Sequence, residues 1–471
     1  MTRSVVYIGH QSWLIDIDGT RILVDPVLTQ SFGHNEKLRF EIFPNRLVYT
    51  DKMPKIDAIV ITNEHLDHFH PPSLRMISKN IPIFMPELMP KVCIREANQI
   101  GYQVQLLRHG QKVNVKNTII QLFQGSNIVP VWESRAASLY IESVHGNEGI
   151  FIQSDTIIDH AAAISCKPDI FIVTHNGQIP PNNNLGAWDN LLPIPSDQPI
   201  ETTGIQLLQE ILDQSYQLFP NAQWILFSGS GYQQKPKKHG RFLWSDYREL
   251  EYILNSLRIS GPQTVGLLPG ELADFSSELK RLSVDWINII NDYQENNVEW
   301  VTLQTISDLP AIFDQIVSSE QKNLIISEIE RMTQLLLISS LGHYMISTNY
   351  FLDRPVGPHR FAIYLRNYHG IQRDAVLALN INKAKFEWVD LSLKEVLYQI
   401  PYGIDVNASD LCAVFEGRIH IWELATSRMR QWYLCPKFDS PVAFLYSLYS
   451  EQLRPDLAEK LYKNLSMVQV K

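Results

Sequence analysis

The 471-residue sequence has little of what marks secreted, membrane-bound or nucleic-acid-binding proteins. Its four cysteines are scattered without a Cys-x-x-Cys pair, which excludes a disulfide framework and favours reduced thiols. No apolar run approaches the roughly 18 residues that a membrane span needs, and the N-terminus lacks a signal-peptide pattern. The net charge of −9 argues against a broad nucleic-acid-binding surface. We therefore expect a cytoplasmic protein that binds neither nucleic acid nor membrane.

What the sequence does have is a dense group of metal-binding side chains between residues 57 and 70. The apolar run Ala58-Ile59-Val60-Ile61 predicts a buried strand of mainly β-branched residues. Histidines and acids follow it directly: Glu64, His65, Asp67, His68 and His70. Imidazole nitrogen and carboxylate oxygen both bind divalent metals, so the segment predicts a metal-binding loop. The alternative is that these side chains are merely polar and exposed.

The order Thr62-Asn63-Glu64-His65-Leu66-Asp67-His68 resembles the metal loop of the metallo-β-lactamase fold, which normally reads Thr/Ser-His-x-His-x-Asp-His. One position departs from that pattern, because Asn63, a weak and neutral ligand, replaces the first histidine. The pairs Gly9-His10 and Asp25-Pro26 also match landmarks of this fold, in which the aspartate braces the metal loop. The resemblance implies the α/β class and an αββα sandwich.

The resemblance also implies a set of metal ligands. The sequence Ser154-Asp155-Thr156 resembles the family's Gly-Asp-Thr, whose aspartate bridges two metals. The family's third histidine has no counterpart, and Glu133 is the strong ligand near that position. Glu133 is therefore either a ligand or a surface acid paired with Arg135. The resulting candidate ligands are His65, Asp67, His68, Glu133, Asp155 and Asn63.

Other polar residues near predicted strand ends are candidates for catalysis or substrate binding. His175 ends a strand, and metal ligation, substrate contact and a hydrogen-bonded loop position all stay open for it. His10 is either a substrate contact or a hydrogen-bonded loop histidine. A lysine-rich loop suits an anionic group, although a solvated charge run is the alternative. We assign catalysis to Asp67, Asp155 and His175, and substrate binding to His10, Lys235, Lys238 and His239.

A closer resemblance within the fold is to the CMP-N-acetylneuraminate hydroxylases without their Rieske domain. It is carried by His65-Leu66-Asp67-His68 with Pro72-Ser73-Leu74, and by the segments 227–232, 267–272 and 405–411. A more distant resemblance is to the ascorbate-6-phosphate lactonase-like hydrolases. The sequence has no Cys-x-His…Cys-x-x-His pattern to hold a [2Fe–2S] cluster. An oxygenase of this kind therefore needs a separate electron donor.

These observations favour a non-haem iron oxygenase or hydroxylase that acts on a polar or anionic small molecule. Carboxylate ligands harden the site toward oxygen donors, which suits iron better than a zinc hydrolase site. We expect one or two divalent ions, with iron favoured and zinc or manganese as alternatives. The second interpretation is a metal-dependent hydrolase of an ester, lactone or phosphoester. The third is a non-catalytic binding protein with a degenerate site.

The chain divides into three predicted parts. Residues 1–275 alternate strands and helices and form the metallo-β-lactamase-like domain. Residues 276–355 form a helical linker region, and residues 356–471 form a smaller α+β C-terminal domain. In that last part we predict strands near 361–366, 375–380, 385–389 and 419–422, and a helix near 408–415.

Overall fold

The structure, a computed structural model, describes residues 2–35, 37–42, 44–125, 135–146, 149–174, 190–192, 205–229, 232–234, 247–257, 261–290, 309, 311–436 and 439–467. Among the candidate site residues, five lie outside these ranges: Glu133, His175, Lys235, Lys238 and His239. Within the described residues, no helix combines the length and apolar character that crossing a membrane requires.

The N-terminal domain consists of strands and five helices within the described residues. Its strands are β1 (Arg3–Gly9), β2 (Ser12–Ile17), β3 (Thr20–Val24), β4 (Ser31–Asn35), β5 (Leu38–Ile42), β6 (Arg46–Val48), β7 (Ala58–Val60), β8 (Ile83–Pro86), β9 (Val104–Leu107), β10 (Val113–Val115), β11 (Thr118–Gln124), β12 (Ala137–Ser143), β13 (Gly149–Ile152), β14 (Ile170–Thr174), β15 (Trp224–Ser228), β16 (Tyr232–Gln234), β17 (Gln263–Val265), β18 (Glu271–Asp274), β19 (Lys280–Ser283) and β20 (Ile287–Ile289). Its helices are α1 (Pro71–Met76), α2 (Lys91–Ile100), α3 (His160–Ser165), α4 (Ile205–Leu218) and α5 (Tyr247–Leu257).

These strands form two main sheets. The first sheet has the order β19-β18-β1-β2-β3-β7-β8-β9, and the second has the order β10-β11-β12-β13-β14-β15-β17. Apolar residues of both sheets, such as Trp13 and Phe151, share one buried core. On its other face the first sheet buries a second core under α1 and α2, which includes Phe69 and Leu74. The predicted α/β sandwich is therefore confirmed.

The sheet topology brings several strand ends to one place. Strands β3 and β7 are parallel neighbours in the first sheet, and β13, β14 and β15 are parallel neighbours in the second. Parallel strands place their carboxyl ends along the same edge, where open α/β sheets bind ligands. The segments that leave these strands carry Asp25, the metal loop (residues 62–70) and Asp155.

The C-terminal unit (residues 311–467) has its own five-stranded sheet. Its elements are α6 (Ser319–Ile338), α7 (Ser340–Ser347), β21 (Tyr350–Phe351), β22 (Arg354–Pro355), β23 (His359–Arg366), β24 (Ala375–Asn380), β25 (Lys385–Val389), α8 (Leu393–Gln399), β26 (Tyr402–Asn407), α9 (Ala408–Phe415), α10 (Ile421–Ser427), β27 (Met429–Trp432), α11 (Pro441–Leu448) and α12 (Pro455–Met467). The sheet order is β25-β24-β23-β26-β27. Helices α6 and α7 contribute Ile325 and Met345 to the core under this sheet.

Two sequence-based expectations differ from the structure in this part of the chain. Strands β19 and β20 lie beyond residue 275, yet they pair with β18 and β6 of the N-terminal domain. The strand predicted over 419–422 is wrong, because α10 begins at Ile421. His420 caps this helix, its imidazole accepts the Trp422 N–H, and the Glu423 side chain accepts the His420 N–H in a capping-box arrangement.

The two parts of the chain are packed against each other. Helix α12 covers α1, α2 and β4, and places Tyr462 in the core beside Phe69, with ring centroids 5.7 Å apart. The Tyr462 hydroxyl lies 3.1 Å from Cys93 Sγ on α2. At β4, the His34 backbone N–H donates to Glu423 Oε1 over 2.6 Å. The C-terminal unit therefore covers part of the surface of the N-terminal domain.

Candidate metal centre

Three side chains with metal-binding atoms converge at the carboxyl ends of the parallel strands. Asp67, His68 and Asp155 are buried, and one ligand atom from each lies within 4.8 Å of the others. No other group of three or more histidines, cysteines or acids meets that limit within the described ranges. The metal loop after β7 supplies Asp67 and His68, and the turn after β13 supplies Asp155.

His68 is held by a carboxylate behind it. Its Nδ1 lies 2.8 Å from Asp25 Oδ2, and its Nε2 lies 3.0 Å from Asp155 Oδ2 and 3.7 Å from Asp67 Oδ2. When Nδ1–H donates to Asp25, the neutral ring directs the lone pair of Nε2 at two carboxylates. That arrangement is repulsive unless a proton or a cation lies between the groups. The donors present therefore fit a divalent ion.

The charges around His68 and Asp67 have large effects on their proton affinities. Burial lowers the pKa of His68, but Asp155, Asp67 and Asp25 outweigh it, so the pKa lies well above its usual value. Burial raises the pKa of Asp67, but His68, His10 and His65 outweigh it and hold the pKa well below its usual range. Asp67 Oδ1 is buried without a hydrogen-bond partner among the described residues. This atom is available to a ligand.

Asp25 organises the loop around the site. Its Oδ1 accepts the Thr62 backbone N–H over 2.8 Å, and its Oδ2 accepts the Thr62 hydroxyl over 2.6 Å. The Thr62 hydroxyl oxygen also lies 2.6 Å from Ser154 Oγ, next to Asp155. Asp25 thus links the two segments that carry the metal-binding side chains, as the resemblance implied.

His10 and Gln11 complete the surroundings from the turn after β1. His10 Nε2 lies 2.9 Å from Asp67 Oδ2, and the Gln11 amide donates to Asp155 Oδ1 over 2.9 Å. The Ser228 hydroxyl at the end of β15 donates to Gln11 Oε1 over 2.7 Å. Gln11, Thr62 and Ser154 were not among the site residues predicted from the sequence, although Thr62 and Ser154 belong to the two motifs. The sequence indicated a role for them only through their positions, next to His10, in the metal loop and next to Asp155.

Three residues of this site have an unusual backbone conformation. His10, Asp25 and Ser154 have φ angles of 54°, 44° and 55°. This left-handed region is costly for residues with a Cβ atom, about 1–3 kcal/mol each when strained. The hydrogen bonds described above hold these three residues in that conformation. Strain of this kind gathers at functional sites because the required side-chain positions outweigh the backbone cost.

The other candidates from the metal loop lie beside the group of three. His65 does not belong to it, and its ring meets the Tyr446 ring edge-on at 5.9 Å. Asn63 Oδ1 accepts the His65 backbone N–H over 2.9 Å, which stabilises the turn. His70 caps α1 and accepts the Ser73 backbone N–H. Metal ligation by His65 and Asn63 stays a prediction.

Comparison with known proteins supports the fold of the N-terminal domain. Residues 4–162 match the family described as "Beta-lactamase superfamily domain". An uncharacterised protein of Mycobacterium tuberculosis is 35% identical over 69 residues, which is 14% of this chain and 18% of that protein. A UPF0173 protein of Pyrococcus abyssi is 25% identical over 119 residues, which is 25% of this chain and 47% of that protein. The chain thus spans less than half the length of these relatives.

Solved structures similar to this chain include a hydrolase and a hydroxylase. A metallo hydrolase from Ignicoccus hospitalis aligns over 58% of this chain and 99% of its own, with 14% identity and a TM-score of 0.38. CmlA, a diiron beta-hydroxylase from Streptomyces venezuelae, aligns over 48% of this chain and 44% of its own, with 15% identity and a TM-score of 0.32. The family match over residues 4–162 and the two-sheet architecture support the metallo-β-lactamase fold for the N-terminal domain.

Proposed function

We propose that this protein is a metal-dependent enzyme whose centre binds iron and serves the oxygenation of a polar or anionic small molecule. The observation that carries the proposal is the surroundings of His68. Its Nε2 faces the carboxylates of Asp155 and Asp67, and Asp25 accepts from its other nitrogen. A buried group of this composition needs a cation to balance it.

The ligand chemistry favours iron over zinc. The three converging side chains supply two carboxylates and one imidazole, which is a harder set than the histidine-rich sites of zinc hydrolases. Asn63 stands where the resemblance expects a further histidine, and Glu133 is proposed as an additional carboxylate. Manganese shares these preferences and is the closest competitor.

Bound iron would activate dioxygen. The residues of the chain orient the side chains that would bind the iron. In the proposed reaction one oxygen atom enters a substrate C–H bond and the other leaves as water. This balance needs two electrons and two protons, which we assign to a separate electron-donor protein. Asp25 fixes the tautomer of His68, and His10 and Gln11 orient Asp67 and Asp155.

Substrate binding is proposed for residues around the metal-binding group. His10 lies against Asp67 and is buried, so it is close enough to act on a molecule bound there. His175, Lys235, Lys238 and His239 lie outside the described residues and are proposed from sequence alone. The lysines would attract an anionic group.

A metal-dependent hydrolase is the second candidate, because residues 4–162 match the beta-lactamase superfamily. In that case the ion's contribution is the acidification of a water molecule that attacks an ester, lactone or phosphoester. The same residues would hold the ion. The two candidates therefore differ in the metal and in the need for oxygen and reductant.

Elemental analysis of protein purified without chelators tests the proposal, with His68→Ala as the site variant and His343→Ala as a control on α7. Near-stoichiometric iron in the wild type and the control, lost in His68→Ala, supports an iron centre. Oxygen consumption by the ferrous protein with a chemical reductant then tests oxygenation. Zinc together with esterase or phosphodiesterase activity supports the hydrolase. Absence of metal from all three proteins overturns both candidates and leaves a binding protein.

A further inference from the structure

The hairpin of β4 and β5 packs against the turn that carries His10 and also against the C-terminal unit. Phe32 on β4 and Phe40 on β5 are opposite each other in the antiparallel ladder, and their rings stack with centroids 5.3 Å apart. Both side chains are at most 2% exposed. Stacked rings at this distance attract each other, so the two side chains behave as one apolar pair.

One ring of this pair contacts His10. The Phe32 ring stacks on the His10 imidazole, with centroids 5.5 Å apart and an interplanar angle of 29°. His10 Nε2 lies 2.9 Å from Asp67 Oδ2, whereas Asp67 Oδ1 has no hydrogen-bond partner among the described residues. Close packing against Phe32 restricts rotation of the imidazole. The stack therefore keeps Nε2 directed at one oxygen of Asp67 and leaves the other oxygen to a ligand.

Both rings of the pair contact Trp422, which lies on α10 of the C-terminal unit. The centroid of the Trp422 ring is 4.9 Å from that of Phe40 and 6.1 Å from that of Phe32. Trp422 also packs against the cores of both parts of the chain. A path of direct contacts thus runs from Trp422 through Phe32 and His10 to Asp67.

The residue after Trp422 attaches α10 to the same hairpin. Glu423 Oε1 accepts the His34 backbone N–H over 2.6 Å, and Glu423 Oε2 lies 3.2 Å from His34 Nδ1. Glu423 Oε2 also accepts the His420 backbone N–H over 2.7 Å, so one carboxylate joins β4 to the start of α10. Glu423 is 1% exposed. Movement of α10 along the hairpin would break buried hydrogen bonds, which is costly.

We propose that Trp422 is a positioning residue for His10, and that the C-terminal unit thereby sets which oxygen of Asp67 meets the ion. Loss of the indole would leave a cavity beside Phe32 and Phe40, and these rings would shift into it. His10 would then be free to turn away from Asp67, and the carboxylate would lose a hydrogen bond that sets its orientation. The inference rests on the proposed function, since it takes Asp67 as a metal ligand.

A double-mutant cycle between Trp422 and His10 tests this in the full-length chain. Trp422→Leu removes the ring and keeps apolar bulk, and His10→Ala removes the contact to Asp67. Trp388→Leu, at a half-exposed tryptophan on β25, is the matched control. Fe²⁺ affinity is measured anaerobically by competition with a chromophoric chelator, and the absorption spectrum of the Co²⁺-loaded protein reports ligand geometry. Circular dichroism shows whether each variant is folded.

We expect Trp422→Leu and His10→Ala each to weaken Fe²⁺ binding by about 10- to 100-fold and to change the Co²⁺ spectrum. Because Trp422 acts through His10, the double variant should bind Fe²⁺ no more weakly than His10→Ala alone. Trp422→Phe restores a ring and should recover most of the affinity. Trp388→Leu should match the wild type in affinity and spectrum.

Two results would overturn the inference while leaving the proposed function intact. One is wild-type affinity and spectrum in folded Trp422→Leu. The other is a double variant in which the two losses add, because Trp422 would then affect the site by a route that does not include His10. If Trp422→Leu does not fold, Trp422→Met takes its place in the cycle. A wild type that binds neither metal overturns both the inference and the proposed function.

Discussion

In the C-terminal unit Asp405 is buried between two arginines, whereas in the N-terminal domain His68 is buried among three aspartates. Asp405 accepts hydrogen bonds from Arg366, at 2.6 and 3.0 Å, and from Arg430. The positive charge there matches or exceeds the negative charge, and the backbone around β26 is regular. Around His68 the negative charge exceeds the positive, Asp67 Oδ1 has no partner among the described residues, and Asp25 is strained. Buried charge alone is therefore a weak guide to a functional site, and the proposed site rests on unbalanced buried charge together with strained backbone.

Removal of Asp405 should destabilise the protein more than any other change proposed below. Asp405→Ala leaves two arginines facing each other without their carboxylate, and the loss of one partner of a buried pair costs about 3–5 kcal/mol. Lys383→Ala breaks an exposed pair with Glu387 in the same unit and should cost no more than about 1 kcal/mol. Urea unfolding of metal-free protein measures both. A loss below about 1 kcal/mol for Asp405→Ala would show that Asp405 is not a structural centre.

Asp410 is a second buried acid of the C-terminal unit, and backbone N–H groups rather than arginines bind its carboxylate. Its carboxylate accepts from Ile312 and Phe313, and burial raises its pKa from 3.8 to about 6. The folded state therefore binds the proton more tightly than the unfolded state. This contribution is fully present below about pH 4 and is lost as the pH rises through about 6. It amounts to on the order of 3 kcal/mol.

The comparison of Asp410→Asn with the wild type isolates this contribution from other titrating groups. The asparagine oxygen can accept the same two N–H donors without gaining charge. We expect the difference in unfolding free energy between the two proteins to shift in favour of the variant between pH 4 and pH 7. Parallel stability curves for both proteins over that range would contradict the assignment.

The third change removes the charge of Asp25, which accepts a hydrogen bond from His68, and it should reduce metal affinity by less free energy than the two changes above alter stability. Asp25→Asn keeps the shape but no longer fixes Nδ1–H of His68, so the ring is free to present the wrong nitrogen to the ion. We expect metal affinity to fall by about 10- to 100-fold, or about 1.4–2.7 kcal/mol. Asp16→Asn, at a part-exposed pair with Arg21, is the matched control. Isothermal titration with Fe²⁺ or Mn²⁺ measures both, and equal affinities would remove Asp25 from the site.

Local patterns in the sequence predicted much of the fold. The β-branched run before the metal loop, the metal-loop motif and the strands β24 and β25 each depend on residues close in the chain. The structure brings Asp67, His68 and Asp155 together, and the resemblance had named all three. What the sequence did not predict depends on distant partners. Gln11 reaches Asp155 across 144 positions, and His34 reaches Glu423 across 389. Periodicity carries no information on such pairs.

Helix α10, where a strand was predicted, shows that local patterns can also fail over a few residues. His420 and Glu423 form a capping box, but histidine is not among the usual capping residues. The apolar residues around them therefore favoured a strand. Glu423 also binds His34, so its conformation depends on a strand of the other domain. A prediction from neighbouring residues could not include this contact between Glu423 and His34.

The position of α12 has a consequence for how the protein is made. A chain leaves the ribosome from its N-terminus, and domains usually fold as they emerge. Here Tyr462 and Leu465 fill the core beneath α1, almost 400 positions after that helix. The core surface next to the metal loop therefore stays exposed while most of the polypeptide is synthesised. Under the proposed function, metal loading should accordingly be a late event in the life of each molecule, after α12 has closed over residues translated long before it.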